Sequence, residues 1–143
     1  MESMSKIEAV LFDLDGTLLD SFPDFLVSLE NININSSSKK IDESIVRANI
    51  SDGSSKLLKL VFDIDADDEG FDEHKRNFLN EYEKNILMYG NLFHGVSDLL
   101  NFLLDKKIPY GIVTNKPRKY TEIILKKSSL LRQSKVVICC DDG

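Results

Sequence analysis

A short apolar run that ends on acids constrains this chain most. Ile7-Glu8-Ala9-Val10-Leu11-Phe12 has the nearly continuous apolar pattern of a strand buried on both faces, and Asp13-Leu14-Asp15-Gly16-Thr17 follows at once. A buried strand with carboxylates at its C-terminal end suits an open α/β sheet, where ligands gather beyond the carboxyl ends of the strands. Asp, Gly and Thr are also ordinary turn residues, so the string alone is compatible with a strand and a capped turn. A calcium-binding loop is excluded, because its sixth position must be Gly and its twelfth a carboxylate. Counted from Asp13 the sixth residue is Leu18, and counted from Asp63 the two are Asp68 and His74.

Beyond the acids the pattern becomes helical. Phe22, Phe25, Leu26 and Leu29 recur at helical spacing, with Pro23 suited to a first turn. Asn31 to Lys40 is polar and reads as a connecting loop. Further helices are expected over Glu43 to Asn49, around Leu57, Leu58, Val61 and Phe62, and along Phe71, Phe78, Leu79, Tyr82, Ile86 and Leu87. The acidic stretch Asp63 to Glu73 between them reads as a solvated loop. From Gly95 the α/β pattern resumes with an apolar helix (Val96, Leu99, Leu100, Leu103, Leu104). A second strand over Pro109 to Thr114 follows, then a helix opened by Pro117, and a third strand over Lys135 to Cys139. Strand, crossover helix and strand in this order imply a parallel sheet. The expected architecture is α/β: a partial Rossmann-like parallel sheet from residues 1–21 and 91–143, with an inserted all-helical cap at 22–90.

The 143 residues carry a net charge of −6, which argues against nonspecific nucleic-acid binding. No apolar stretch reaches the length of a membrane span and no signal peptide is visible, so a cytoplasmic location is expected. Cys139 and Cys140 are adjacent and read as buried thiols at a strand end. An acidic chain repels anionic ligands at long range, and a divalent cation at the acids would reverse that field locally.

The spacing of Asp13 and Asp15 suits one kind of chemistry. A carboxylate attacking phosphorus divides a difficult hydrolysis into two easier steps through an acyl phosphate. A second acid two residues on lies on the same side of an extended chain, where it can protonate the leaving oxygen. Gly16 permits a sharp turn and close approach of the backbone to phosphate, and the amides beyond it can bind anionic oxygens.

The stretch from Val10 to Ser21 resembles the first motif of the haloacid dehalogenase (HAD)-like hydrolase superfamily. Ile112-Val113-Thr114-Asn115-Lys116-Pro117 resembles its second motif in the wording of the phosphoglycolate phosphatase-like subfamily. Leu92-Phe93-His94-Gly95-Val96 resembles a segment by which that subfamily re-enters its core, with His94 in place of Pro. Ile50 to Gly53 with Leu57-Leu58 resembles a cap helix. The resemblance implies a phosphatase acting on a small phosphorylated metabolite such as phosphoglycolate. Asp13 would be nucleophile, Asp15 general acid and base, and Thr114 a donor to the phosphoryl group. Mg²⁺ would be held by the Asp13 carboxylate and the Asp15 backbone carbonyl. Gly16, Thr17, Asn115 and Lys116 would line the phosphate approach, with Ser51 to Ser55 near the substrate. His94 is expected at the surface or a hinge.

The family's third-motif lysine and fourth-motif carboxylates have no counterpart before Gly143. Asp141 and Asp142 follow the third strand, one strand too early, and read as a solvated strand end. C-terminal truncation, near inactivity of the chain alone and a tendency to associate are the corresponding expectations. A catalytically inactive remnant or binding module stays open, as does a phosphosugar mutase or nucleotide phosphatase of the same fold.

Overall fold

The computed structural model of the chain describes residues 6–33 and 40–143. Strand β1 (Val10–Phe12) leads through a tight turn to β2 (Leu19–Asp20), followed by helices α1 (Phe22–Asn33), α2 (Glu43–Ala48), α3 (Ser54–Phe62) and α4 (Phe71–Asn85). Strand β3 (Asn91–Leu92) and helix α5 (Val96–Asp105) precede β4 (Tyr110–Val113), and α6 (Arg118–Lys127), α7 (Ser129–Arg132) and β5 (Val137–Ile138) complete the order. Asn31 to Asn33 form the last turn of α1 rather than a loop, and residues 34–39 of the expected loop lie outside the described residues. Asp72 and Glu73 likewise belong to the first turn of α4, where acids complement the helix dipole. Among the described residues no helix is long and apolar enough to cross a membrane.

The sheet is parallel, three-stranded and ordered β1-β4-β5, with Val10 opposite Tyr110, Phe12 opposite Ile112 and Val113 opposite Ile138. Both crossovers step in the same direction along it, so right-handed connections place their helices on one face. Tyr110 and Ile112 are buried on that face in one core with Leu100 and Leu103 of α5, Ile124 of α6 and Leu131 of α7. The alternate residues point the other way: Leu11 is 62% exposed, and Val113, Val136 and Ile138 are exposed beside it. The expectation of strands buried on both faces is therefore corrected. Continuous apolar runs were present, but helices cover only one side among the described residues.

The helical insertion stands on a two-stranded antiparallel ribbon, with Leu19 opposite Leu92 and Asp20 opposite Asn91. Two-residue strands carry no periodicity, so no pattern along the chain marks them. Within the insertion, α1 packs on α4 through aromatic rings. Phe25 and Tyr82 stack at 4.5 Å with planes 1° apart, and Phe78 lies 6.0 Å from Phe25.

Asp24 ties this insertion to its own exit. Only 1% exposed, its carboxylate accepts the backbone N–H groups of Leu87 (2.9 Å), Tyr89 (2.9 Å) and Gly90 (3.0 Å). A side chain at position 90 would put its Cβ 2.6 Å from Asp24 Oδ2 and 2.7 Å from the Asp20 carbonyl, so the chain passes there only as Gly. Asp24→Ala orphans three amides and should destabilise the fold by about 3 kcal/mol, since each buried amide left without a partner costs on the order of 1 kcal/mol or more. Urea unfolding checks this, and an unchanged midpoint would show that water replaces the carboxylate without cost.

Candidate active site

The ends of β1 and β4 bring the two motifs together. Since Phe12 pairs with Ile112, Asp13 and Thr114 leave neighbouring strands at the same edge. Asp13 is exposed, and its Oδ1 accepts its neighbour's amide, Leu14 N–H, at 2.7 Å, which fixes the carboxylate's rotation. The chain then folds back tightly. The Leu14 carbonyl accepts the amides of Thr17, Leu18 and Leu19, while Gly16 (φ 82°) donates to the Leu19 carbonyl at 2.9 Å. Thr114 is buried, and its hydroxyl oxygen accepts the Lys116 amide at 3.0 Å, which leaves the hydroxyl hydrogen to donate elsewhere.

Asp13, Asp15, Thr114, Asn115 and Lys116 all border one cavity of about 40 Å³. Ser51, Gly53 and Ser54 of the insertion complete its rim, with Phe25, Leu57, Phe78 and Tyr82 as an apolar wall. Gly16 and Thr17 do not border it. Both are exposed on the turn, and a Cβ at Gly16 would lie 3.4 Å from the Ser51 hydroxyl oxygen. His94 is exposed between β3 and α5.

Lys116 is buried rather than directed into solvent. Its Nζ donates to Asp15 Oδ2 at 3.0 Å and to the Tyr82 hydroxyl at 2.6 Å, with the two side chains of the ion pair 4% and 7% exposed. The ammonium also lies over two rings of the insertion, 4.4 Å from the Tyr82 centroid and 4.9 Å from that of Phe25. Burial, reinforced by the Asp15 and Asp24 carboxylates, pushes the Tyr82 phenol well above its ordinary value of 10, so it remains neutral. The sequence placed Phe25 and Tyr82 on apolar helix faces. A hydroxyl four residues after Phe78 in such a stripe was the available sign of a polar task.

Two further bonds join insertion and sheet. The Ser51 hydroxyl donates to the Asp15 carbonyl at 2.8 Å, and Asn115 Nδ2 donates to the Ser51 carbonyl at 3.2 Å. The Asp15 carbonyl thus makes its hydrogen bond outside its own turn, to the insertion. Among the described residues no cluster of three or more His, Cys, Asp or Glu side chains could hold a metal ion. One carboxylate (Asp13) and one backbone carbonyl (Asp15) fit a hydrated Mg²⁺, which keeps several waters and takes further oxygens from phosphate.

The Haloacid dehalogenase-like hydrolase family model matches residues 10–143. The chain belongs to that family. This HAD-like chain is 32% identical over 136 residues to the N-acetylmuramic acid 6-phosphate phosphatase of Pseudomonas putida, covering 95% of itself and 61% of that relative. It is 35% identical over 130 residues to the phosphoglycolate phosphatase of Xanthomonas campestris pv. campestris, covering 91% of itself and 58% of the relative. The chain therefore spans about three fifths of the length of these curated relatives. The crystal structure of a predicted phosphoglycolate phosphatase from Haemophilus somnus superposes with a TM-score of 0.83 at 24% identity, over 99% of this chain and 66% of that one. That likeness establishes the shared fold.

The C-terminal acids of this HAD-like chain lie outside the cavity. Asp142 pairs with Arg118 and accepts the Cys139 amide at 2.8 Å, and Asp141 accepts the Arg118 amide at 2.8 Å, so both acids cap the start of α6. Cys139 is buried as expected, but Cys140 is exposed, because the strand ends at Ile138 and the turn beyond it faces Cys140 outward. The hydrogen bonds from Arg118, then the Cys139 amide, hold Asp142 down at about 2, against an ordinary 3.8. A depressed carboxyl contributes stability that is present above pH 3.8 and lost as pH falls towards 2. Asp142→Asn should therefore lower the melting temperature near neutrality, and the gap from the unmodified chain should narrow below pH 3.8 and close towards about pH 2. A gap that stays constant to about pH 2 would show that the pair does not act through its charge.

Proposed function

We propose that this HAD-like chain carries the nucleophile half of a Mg²⁺-dependent phosphatase for small phosphate monoesters, with residues 22–90 as its cap. The observation that carries the reading is the convergence of Asp13, Asp15 and Thr114 on one cavity at the carboxyl ends of β1 and β4. Asp13 attacks phosphorus while the bond to the leaving oxygen breaks, and Asp15, in its protonated form at this step, gives that oxygen its proton. Water then attacks the phosphorylated Asp13, returning a proton to Asp15 and releasing phosphate and the free carboxylate. Thr114 donates its hydroxyl hydrogen to the transferring group. Mg²⁺, held by the Asp13 carboxylate and the Asp15 carbonyl, would supply charge neutralisation there.

The cavity of about 40 Å³ has room for a few waters but not for a sugar phosphate. Substrate therefore enters with the cap drawn back, and closure excludes water from the acyl phosphate.

Two substrate classes come from the relatives, and the walls favour one. Phe25, Phe78 and Tyr82 offer apolar ring faces beside the hydroxyls of Ser51 and Ser54. Lys116, the one ammonium among the described lining residues, is committed to Asp15. A phosphosugar matches ring faces and hydroxyls, whereas phosphoglycolate brings a carboxylate that finds no uncommitted cation there among the described residues.

The test uses the chain and its Asp13→Asn variant with Mg²⁺ and beryllium fluoride, a phosphoryl mimic that needs the carboxylate. Fluorine NMR should report a bound species in the first and none in the second. Turnover, where present, should fall by more than about 10³-fold in the variant. Equal binding by both proteins would remove Asp13 as the nucleophile. A panel of phosphosugars and phosphoglycolate then separates the two substrate classes.

A further inference from the structure

The chain leaves α4 through a turn whose shape does not suit its residues. Ile86 (φ −56°, ψ 119°) and Leu87 (φ 57°) are the central pair of a type II turn, closed by the Met88 amide on the Asn85 carbonyl at 3.0 Å. The second central position of that turn favours Gly, because a Cβ is crowded at positive φ. A type I turn would relieve Leu87, and it differs by rotation of the single peptide plane between Ile86 and Leu87. That one peptide is gripped at both ends by opposite charges. Its carbonyl accepts the Lys127 ammonium of α6 at 2.7 Å, and its N–H donates to Asp24 Oδ2 of α1 at 2.9 Å. Turning the plane over would break both bonds and set the carbonyl oxygen against the carboxylate. The other carboxylate oxygen, Oδ1, would keep the amides of Tyr89 and Gly90.

We propose that the peptide joining Ile86 to Leu87 is a latch with two settings. Fastened, as a strained type II turn, it ties the end of α4 to α6 through Lys127; released, as a relaxed type I turn, it lets that tie go. Charge rather than residue preference selects the fastened setting. The latch stores the strain of Leu87, so loss of either charge lets the plane turn over. In the released setting Lys127 has no carbonyl to hold. The end of α4 is then free of α6, while Asp24 still gathers Tyr89 and Gly90. The inference does not depend on the phosphatase reading.

Asp24→Asn is the variant that separates the two settings. Its side-chain carbonyl can still accept the Tyr89 and Gly90 amides, but an NH₂ group then stands where Oδ2 received Leu87. Two donors cannot face each other, so the peptide turns over and its carbonyl accepts from the new NH₂. In NMR a type II turn gives a strong NOE from Ile86 Hα to the Leu87 N–H. A type I turn gives instead a strong NOE between the N–H groups of Ile86 and Leu87. Asp24→Asn should exchange the first signal for the second. A folded Asp24→Asn protein that keeps the Hα signal would overturn the proposal.

Lys127 is exposed, so Lys127→Met tests the latch from the other side and leaves the buried carboxylate alone. The Leu87 amide should then exchange with solvent about tenfold faster, because the strain favours release, while the Gly90 amide keeps its rate. In a Leu87→Gly background positive φ carries no strain. There the same Lys127→Met change should alter exchange at the amide of residue 87 by less than about twofold. An unchanged Leu87 rate, equal acceleration at Gly90, or the same change in both backgrounds would overturn the latch and leave Lys127 as an ordinary docking contact.

Discussion

Lys116 and Asp15 bring opposite charges together where neither can reach water. Moving either ion out of water costs several kcal/mol, and mutual attraction recovers that only when further groups solvate both partners. Here the ammonium is served by a hydroxyl and two ring faces, all from helices inserted between β2 and β3. The sheet alone could not bury this pair. Docking of the insertion is thus what makes the buried pair tolerable.

The same dependence explains how the insertion is anchored. Its exit is tied to its entrance by Asp24, whose carboxylate gathers three amides between Leu87 and Gly90. Lys127 of α6 donates to the Ile86 carbonyl at 2.7 Å and joins that exit to the sheet's own helices. Around the cavity, by contrast, insertion and sheet meet through polar contacts at Ser51 and Asn115, the Lys116 cage, the Tyr82–Tyr120 ring contact and the exposed Lys119–Glu83 pair. A firm base with few bonds at the tip suits an element that pivots. Water-accessible hydrogen bonds at the tip exchange with solvent at little cost, whereas the ribbon and Asp24 remain in place.

Much of this was legible in the residues. Acids at the end of an apolar run pointed to the cavity that Asp13 and Asp15 border, because an open sheet gathers its ligands at strand ends. The helical spacing of α1, α3 and α4 was also readable, since a single apolar stripe gives it away. The two-residue ribbon was not readable, because pairing there depends on residues 71 to 73 positions apart and leaves no local pattern. Nor was the exposed face of the sheet. Leu11, Val113 and Ile138 are as apolar as their buried neighbours, and only the common direction of both crossovers separates the two sets. Family resemblance marked Lys116 as a phosphate contact, but its partners sit 34 and 101 positions away and could be found only in three dimensions.

Lys116 also shows why one residue can serve both the sheet's chemistry and the insertion's docking. A guanidinium would need more room and would spread its charge over a plane, whereas a compact ammonium can touch a carboxylate, a hydroxyl and two ring faces at once. Tyrosine is matched to it for a related reason. Its phenol stays neutral, because burial and the nearby carboxylates oppose ionisation, so it accepts from the lysine without competing for its charge. A carboxylate in place of Tyr82 would divide the ammonium between two anions and weaken the hold on Asp15. The neutral hydroxyl leaves the charge of Lys116 to Asp15, and the carboxylate stays paired in the interior.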